Sequence, residues 1–285
     1  MIENMMAPIW LMYPEIPQGS IGWRMGYGET YSMKFSEWFY TLTKEEQAEF
    51  NKKFPEPVCW TMFDFNTLRY NKFWTYKWQK DNKPVYSIKS MIKENEQGKK
   101  REKIFFWGHT AQNTIGSKCL SQWYMADFYV GHIKYCCMEQ YMMSKKALLF
   151  GDNEINEEIM KSSKQGEIKA LGRKIRGFKE EIWSQFKIPI ILTGNYYKFS
   201  QLENFRKFLI GTGDAMLIEA SPYDRIWGIG MGAEEAKKCE IDKWKGQNLL
   251  GFALMEVRDE LKRIWQHGDE IDFETLHKKH ARRGI

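Results

Sequence analysis

The sequence predicts a helix-rich α+β fold with a small sheet, preceded by an aromatic-rich N-terminal extension over residues 1–100. Three observations lead there. Apolar residues recur at three- and four-residue steps beyond residue 138, as in Leu250, Leu254, Val257, Leu261 and Ile264. Beyond residue 100 only short runs near 104–107, 127–137 and 215–219 have the aromatic and β-branched character of strands. Turn-forming residues crowd the opening of the chain (Pro14, Pro17, Gly19, Gly22, Gly26, Gly28, then Pro55 and Pro57).

Over residues 1–80 this punctuation argues against long regular elements, with one helix expected. Thr43-Lys-Glu-Glu46 is a capping-box sequence that leads through Ala48 to Phe50 and is stopped by Phe-Pro-Glu-Pro. Lys80–Lys103 reads as a polar connector with a strand candidate at Val85–Ile88, so the boundary falls near residue 100 and residues 101–285 form the main domain. Ile104–Trp107 and Asp127–Cys137 are expected strands, the second interrupted by Gly131. Glu139–Phe150 is helical by the spacing of Tyr141, Met142, Lys145, Lys146 and Leu149. Helices follow at 154–164, 166–175 and 178–187. A second capping box, Ser200-Gln-Leu-Glu203, opens a helix that turns Phe205, Phe208 and Leu209 inward and stops at Gly211-Thr-Gly213. Ala215–Glu219 is a short strand, and a long final helix runs from Gly246–Asn248 to Gly268.

Composition narrows the class. With 285 residues and 43% hydrophobic content the chain has ample core, and its net charge of +6 suits phosphate-bearing partners. Basic runs at Lys99–Arg101 with Lys103, and at Lys278–Lys279 with Arg282–Arg283, read first as solvated segments. No stretch approaches the roughly 20 apolar residues of a membrane helix, and Met1-Ile-Glu-Asn-Met lacks a secretory signal, so a soluble cytoplasmic protein is expected. Five cysteines lack Cys-x-x-Cys spacing and histidines at ligand intervals, which predicts reduced thiols and no metal. Cys136 and Cys137 are read as strand neighbours facing opposite ways. There is no dinucleotide fingerprint, Walker sequence or Ser-His-Asp signature, and no cofactor is expected.

Two places carry chemistry. In Glu219-Ala-Ser-Pro-Tyr-Asp-Arg-Ile-Trp-Gly-Ile-Gly-Met-Gly232 a strand runs into a loop where Asp224 and Arg225 flank Trp227 and the glycines permit close approach of a ligand. The same composition suits a structural turn capped by Asp224, with Trp227 in the core. Glu139 follows the apolar Tyr135-Cys-Cys-Met138 at a strand-to-helix junction, where partial burial raises a carboxyl pKa for proton transfer. A helix-start glutamate complementing the macrodipole is the alternative.

Leu120-Ser-Gln-Trp-Tyr124, Met138-Glu-Gln-Tyr141 with Lys146, Ala170-Leu-Gly-Arg173, Ser221-Pro-Tyr-Asp-Arg-Ile-Trp-Gly228 and Gln247-Asn-Leu-Leu-Gly251 with Arg258 together resemble, in order, the NADAR or YbiA-like family. The resemblance implies a YbiA-like domain that hydrolyses N-glycosidic bonds. Family members act on ADP-ribosylated guanine in DNA or on ribosylaminopyrimidine phosphates of riboflavin synthesis. It also implies that Glu139 is the essential glutamate, that Asp224, Trp227 and Gly228 form the Asp-x-x-Trp-Gly motif, and that Asn248 opens the last helix. This sequence departs from the family in carrying Gln140 where His is common, which removes a proton relay. It also has Ser121-Gln122-Trp123 for Ser-Asn-Phe.

Such a reaction develops positive charge on the sugar and negative charge on the departing nitrogen. Glu139 is assigned to the water or the oxocarbenium centre and Asp224 to ribose hydroxyls or the leaving group, with the two exchangeable. Lys146 holds phosphate or, as the lesser option, attacks the sugar carbon, with a plain surface lysine as the alternative. Trp123 and Trp227 stack on the base, and Arg173 and Arg225 hold phosphate, a structural ion pair being an equal alternative for Arg173. Ser121, Gln122, Tyr223, Gly228 and Asn248 complete the expected substrate contacts. The expected partner is an ADP-ribose-containing or ribosyl-phosphate substrate, with DNA as an option; a non-catalytic ADP-ribose or nucleic-acid binding module is the reading from another class.

Overall fold

The computed structural model describes residues 5–60, 84–108 and 114–280. The amino terminus through Asn4, residues 80–83 of the connector and Arg282–Arg283 of the second basic run lie outside them.

Helices α1 (Ile9–Met12), α2 (Tyr27–Thr41), α3 (Lys44–Lys53) and α4 (Ile88–Glu96) precede β1 (Lys103–Phe106). The hairpin β2 (Phe128–Val130) and β3 (Ile133–Tyr135) leads to α5 (Met138–Leu149), α6 (Asn153–Lys161), α7 (Gln165–Gly172), α8 (Glu180–Gln201) and α9 (Glu203–Gly211). Then come β4 (Met216–Glu219), α10 (Ala233–Ala236), α11 (Leu249–Trp265) and α12 (Phe273–Lys279). The fold is thus helix-rich α+β, and its small sheet is split in two. β1 pairs in parallel with β4, Phe106 opposite Glu219, while β2 and β3 are antiparallel.

Packing follows the apolar stripes. α5 packs on α6, α7 and α8, α8 on α11, and α11 on β4. Leu250, Leu254, Val257 and Leu261 of α11 are all completely buried. Asn248, just before α11, ties this helix to β4: its side-chain amide donates to Leu217 O and accepts from Glu219 N, both at 2.9 Å. A second apolar cluster joins Trp10, Tyr13, Tyr31, Phe50, Phe54 and Trp60 to Ile264, Ile271 and Leu276, so aromatics from the N-terminal region pack with the end of the chain. No helix among the described residues is long and apolar enough to cross a membrane.

Several local expectations are corrected. The first 60 residues hold a 15-residue helix, α2, because the glycines end at Gly28 and Tyr31, Phe35 and Phe39 then recur at helical spacing toward the aromatic cluster. Val85–Ile88 is no strand: Ser87 caps α4 through a box with Ser90, and Val85 N donates to Glu256. The helix expected at 178–187 runs on to Gln201 through Pro189, which removes one backbone bond. Burial of every residue from Pro189 to Ser200 outweighs that loss. Ser200 therefore lies inside α8 with its hydroxyl donating to Tyr197 O, and α9 starts at Glu203, preceded by Leu202 with no side-chain cap. Cys136 and Cys137 lie past the end of β3, where the chain bends into α5, and their sulfurs approach to 4.0 Å instead of pointing apart.

Candidate active site

Because β1 and β4 are parallel, their carboxyl ends open on the same side, the usual location of ligands on parallel sheets. Trp107 and Gly108 after β1, and Glu219, Ser221, Tyr223, Asp224, Ile226 and Trp227 at and after the end of β4, line one cavity of about 710 Å³. Ser121–Trp123, then Glu139, Met142, Met143 and Lys146 of α5, then Lys169, Gly172 and Arg173 at the end of α7, form its remaining walls. That volume lies within the range of small-molecule sites.

Glu139 occupies the first turn of α5, and its N–H donates to Gln122 O at 2.9 Å, locking the Ser121–Trp123 turn onto the helix start. It is only 3% exposed, and its Oε1 is buried without a hydrogen-bond partner. Burial pushes its carboxyl up to about 7; Lys169, the Trp123 side-chain hydrogen bond and Lys146 pull it back, while Asp224 raises it further. Gln122 Oε1 is likewise buried and unpartnered beside the cavity.

Asp224 serves the loop and the cavity together. Its Oδ1 accepts from Ile226 N at 2.9 Å and Trp227 N at 2.8 Å, which is the capped turn that composition allowed, while the residue also lines the cavity. Lys146, two turns along α5 from Glu139, donates to Gly172 O at 3.0 Å and lies 4.3 Å over the Phe178 ring. Its burial lowers the ammonium pKa, against the pull of Glu180 and Glu139.

The fold thus brings Ser121, Gln122, Trp123, Glu139, Lys146, Arg173, Tyr223, Asp224 and Trp227 together. Arg225, Gly228 and Asn248 are not among the lining residues, each for a visible reason. Arg225 is exposed with its stem laid along Gly230. Gly228 is buried where a Cβ would sit 2.8 Å from Glu219 O. Asn248, with a left-handed φ of 54° that asparagine tolerates, holds backbone of β4. Gln140 also lies off the cavity, accepting from Cys136 N and donating to the carbonyls of Ile159 and Ser162, so the residue that replaces the family His here ties α5 to α6.

Sequence reasoning missed Glu219, Lys169 and Trp107. Burial pushes the Glu219 carboxyl up to about 8, with Asp224 and Glu139 adding to the rise and Lys169 opposing it, and its Oε2 is buried and unpartnered. Its signal was a carboxylate ending the apolar strand Met-Leu-Ile-Glu. Lys169, with its Nζ 5.4 Å over the Trp123 ring, stands one helical turn before Arg173 and was findable from it. Trp107 is half exposed at the cavity mouth, 6.2 Å from the Tyr223 ring. Among the described residues no three His, Cys, Asp or Glu side chains are grouped to hold a metal ion.

Known proteins match about half of this chain. An N-glycosidase of Acanthamoeba polyphaga mimivirus is 44% identical over 162 residues, which is 55% of this chain and 95% of that protein. An N-glycosidase of Nostoc punctiforme is 29% identical over 146 residues, 51% of this chain and 86% of that protein. The NMR structure of E. coli YbiA matches with 25% identity and a TM-score of 0.47 over 56% of this chain and 85% of that one. The NADAR domain model matches residues 105–262, more than half of the sequence and the whole stretch that builds the cavity, so this chain belongs to the NADAR family.

Proposed function

We propose that this chain is an N-glycoside hydrolase whose substrate is an ADP-ribosylated nucleobase, such as ADP-ribosyl-guanine in DNA or in a nucleotide. The observation that carries the reading is Glu139, a buried carboxylate with an unpartnered oxygen in a cavity whose walls divide by chemistry. Lys146, Lys169 and Arg173 supply positive charge on the side of α5 and α7, suited to a pyrophosphate. Trp107, Trp123, Tyr223 and Trp227 supply flat surfaces for a base. The names of the mimivirus and Nostoc relatives support the N-glycosidase class.

In this reading Glu139 stands by the anomeric carbon, where its carboxylate stabilises the cationic sugar and takes a proton from the attacking water. Asp224, with Oδ1 engaged by the loop, receives ribose hydroxyls on its other oxygen. Lys146 serves as a cation beside phosphate; its bond to Gly172 O and its place over Phe178 suit a held ammonium better than a free amine nucleophile. Residues 1–100 act as an extension that packs on the rest of the chain through Cys59 and Met91 and through the aromatic cluster, with none of its described residues lining the cavity.

The test is to incubate the protein with ADP-ribosyl-guanine DNA and, separately, with ribosylaminopyrimidine phosphate, following release of ADP-ribose from the first and of base or sugar from the second. Turnover of the first supports the proposal. Turnover of the second alone transfers the site to the smaller substrate, and binding without turnover of either makes the chain a binding module.

A further inference from the structure

We propose that Glu219 is the proton donor to the departing nitrogen, acting opposite an ionised Glu139; the assignment rests on the N-glycosidase reading. Glu219 ends β4 with its backbone fixed on both sides: its N–H donates to Asn248 Oδ1 at 2.9 Å and its carbonyl accepts from Ile229 N at 2.9 Å. The side chain faces the same cavity as Glu139, and its Oε2 is buried with no partner. An unpartnered buried carboxylate oxygen is costly unless it carries a proton or meets a ligand.

The surroundings place the proton on Glu219. Glu139 has the Trp123 hydrogen bond and the charges of Lys169 and Lys146 to favour its anionic form. Asp224 acts on both carboxyls, but Glu219 also faces Glu139 and has Lys169 alone as its counterweight. Two acidic groups whose surroundings differ in this way divide into acid and base. Asp224 is the poorer donor, because its Oδ1 already accepts two backbone N–H groups.

The step balances. The bond from the anomeric carbon of the ADP-ribosyl ribose to the base nitrogen breaks with its electron pair going to nitrogen, which takes the Glu219 proton. Water adds to that anomeric carbon and gives a proton to Glu139. The products are ADP-ribose and the unmodified base, and proton exchange with solvent returns the pair to its starting state.

The decisive measurement is kcat/KM against pH for the wild type, Glu219→Gln and Glu139→Gln. It uses two ribosyl N-glycosides: one whose nitrogen must be protonated to leave, and a pyridinium riboside that leaves as a neutral base. Glu219→Gln is expected to lose about 100-fold or more on the first, to lose the alkaline limb of the profile, and to keep near-wild-type turnover of the second. Glu139→Gln is expected to lose both substrates. If the glutamine variant folds poorly, Glu219→Asp keeps a carboxyl and is expected to retain the alkaline limb at reduced kcat. Infrared difference spectra at neutral pH should show a protonated-carboxyl band that is weaker in Glu219→Gln than in the wild type, the remainder belonging to other buried carboxyls such as Glu139. Equal losses on both substrates, an unmoved alkaline limb or a band of unchanged strength in Glu219→Gln would overturn the assignment and leave the N-glycosidase reading standing. A wild type that cleaves neither riboside, nor the substrates above, overturns both.

Discussion

Replacing Glu139 by glutamine should abolish turnover and at the same time make the folded protein more stable, by an amount that grows with pH. In the unfolded chain a glutamate titrates near its ordinary value, whereas in the folded protein burial holds Glu139 up at about 7. Between those two values the folded chain keeps a proton that the unfolded chain has released, so stability falls as pH rises. Below the unfolded value both states are protonated and the penalty is absent; above about 7 it is complete. From 4.5 to about 7 the penalty is on the order of 3 kcal/mol at about 1.4 kcal/mol per unit. Glutamine is nearly isosteric, cannot ionise and still accepts the Trp123 hydrogen bond. For a chain of this size the gain corresponds to roughly 5–10 °C in Tm above neutrality. Calorimetric melts of wild type and Glu139→Gln at pH 5 and pH 8.5, at one ionic strength, read it directly. A wide separation at pH 8.5 that closes toward pH 5 is expected. The same separation at both pH values, or a less stable variant at pH 8.5, would refute the burial argument even if activity were lost.

Other substitutions probe the frame. Asn248→Ala removes both bonds between α11 and β4 and leaves Glu219 N and Leu217 O unpaired, which should cost about 2–4 kcal/mol in urea unfolding. Gly251→Ala should destabilise more than Gly172→Ala: the new Cβ would lie 2.1 Å from the backbone oxygen Leu217 O in the first case and 2.0 Å from the movable Met143 Sδ in the second. Equal melting temperatures for the two variants would contradict the close packing of α11 on β4. Trp123→Phe removes a hydrogen bond that favours ionised Glu139, so the acidic limb of the pH–rate profile should move to higher pH. An unmoved limb would separate Glu139 from that limb.

How much of this was legible in the sequence depended on where each residue's energetics reside. α5, α11 and the strands at 104–106, 128–135 and 216–219 came from local periodicity, because their apolar residues face one core, and α3 came from its capping box, with Phe50 entering the second apolar cluster. α8 did not, since nothing local announces that a helix will continue through Pro189. That outcome is set by α5 and α11 packing against its other faces. Ser200 shows the converse error, a sound capping pattern overruled by burial. The site divides the same way. Glu139 and the Asp224–Trp227 loop stood out by their settings and by the order of the blocks around them. Glu219 and Lys169 become site residues only where the ends of β1 and β4, the start of α5 and the end of α7 meet at one cavity, which only the folded arrangement brings about.

The loop after β4 sharpens this point, because its two readings were never alternatives. The turn capped by Asp224 Oδ1 and the contact of Gly228 with Glu219 O keep the loop close to the end of β4. That hold sets Asp224 and Trp227 at the cavity wall and crowds Asp224 toward Glu219. A looser loop would let water reach Glu219 and restore an ordinary carboxylate, so the structural role of Asp224 is a condition for the chemistry of its neighbour. A variant that weakens the turn without removing a charge, such as Gly228→Ala, should therefore lower the pH at which the alkaline limb falls, in step with any loss of Tm. A stable Gly228→Ala protein with an unchanged profile would break that link.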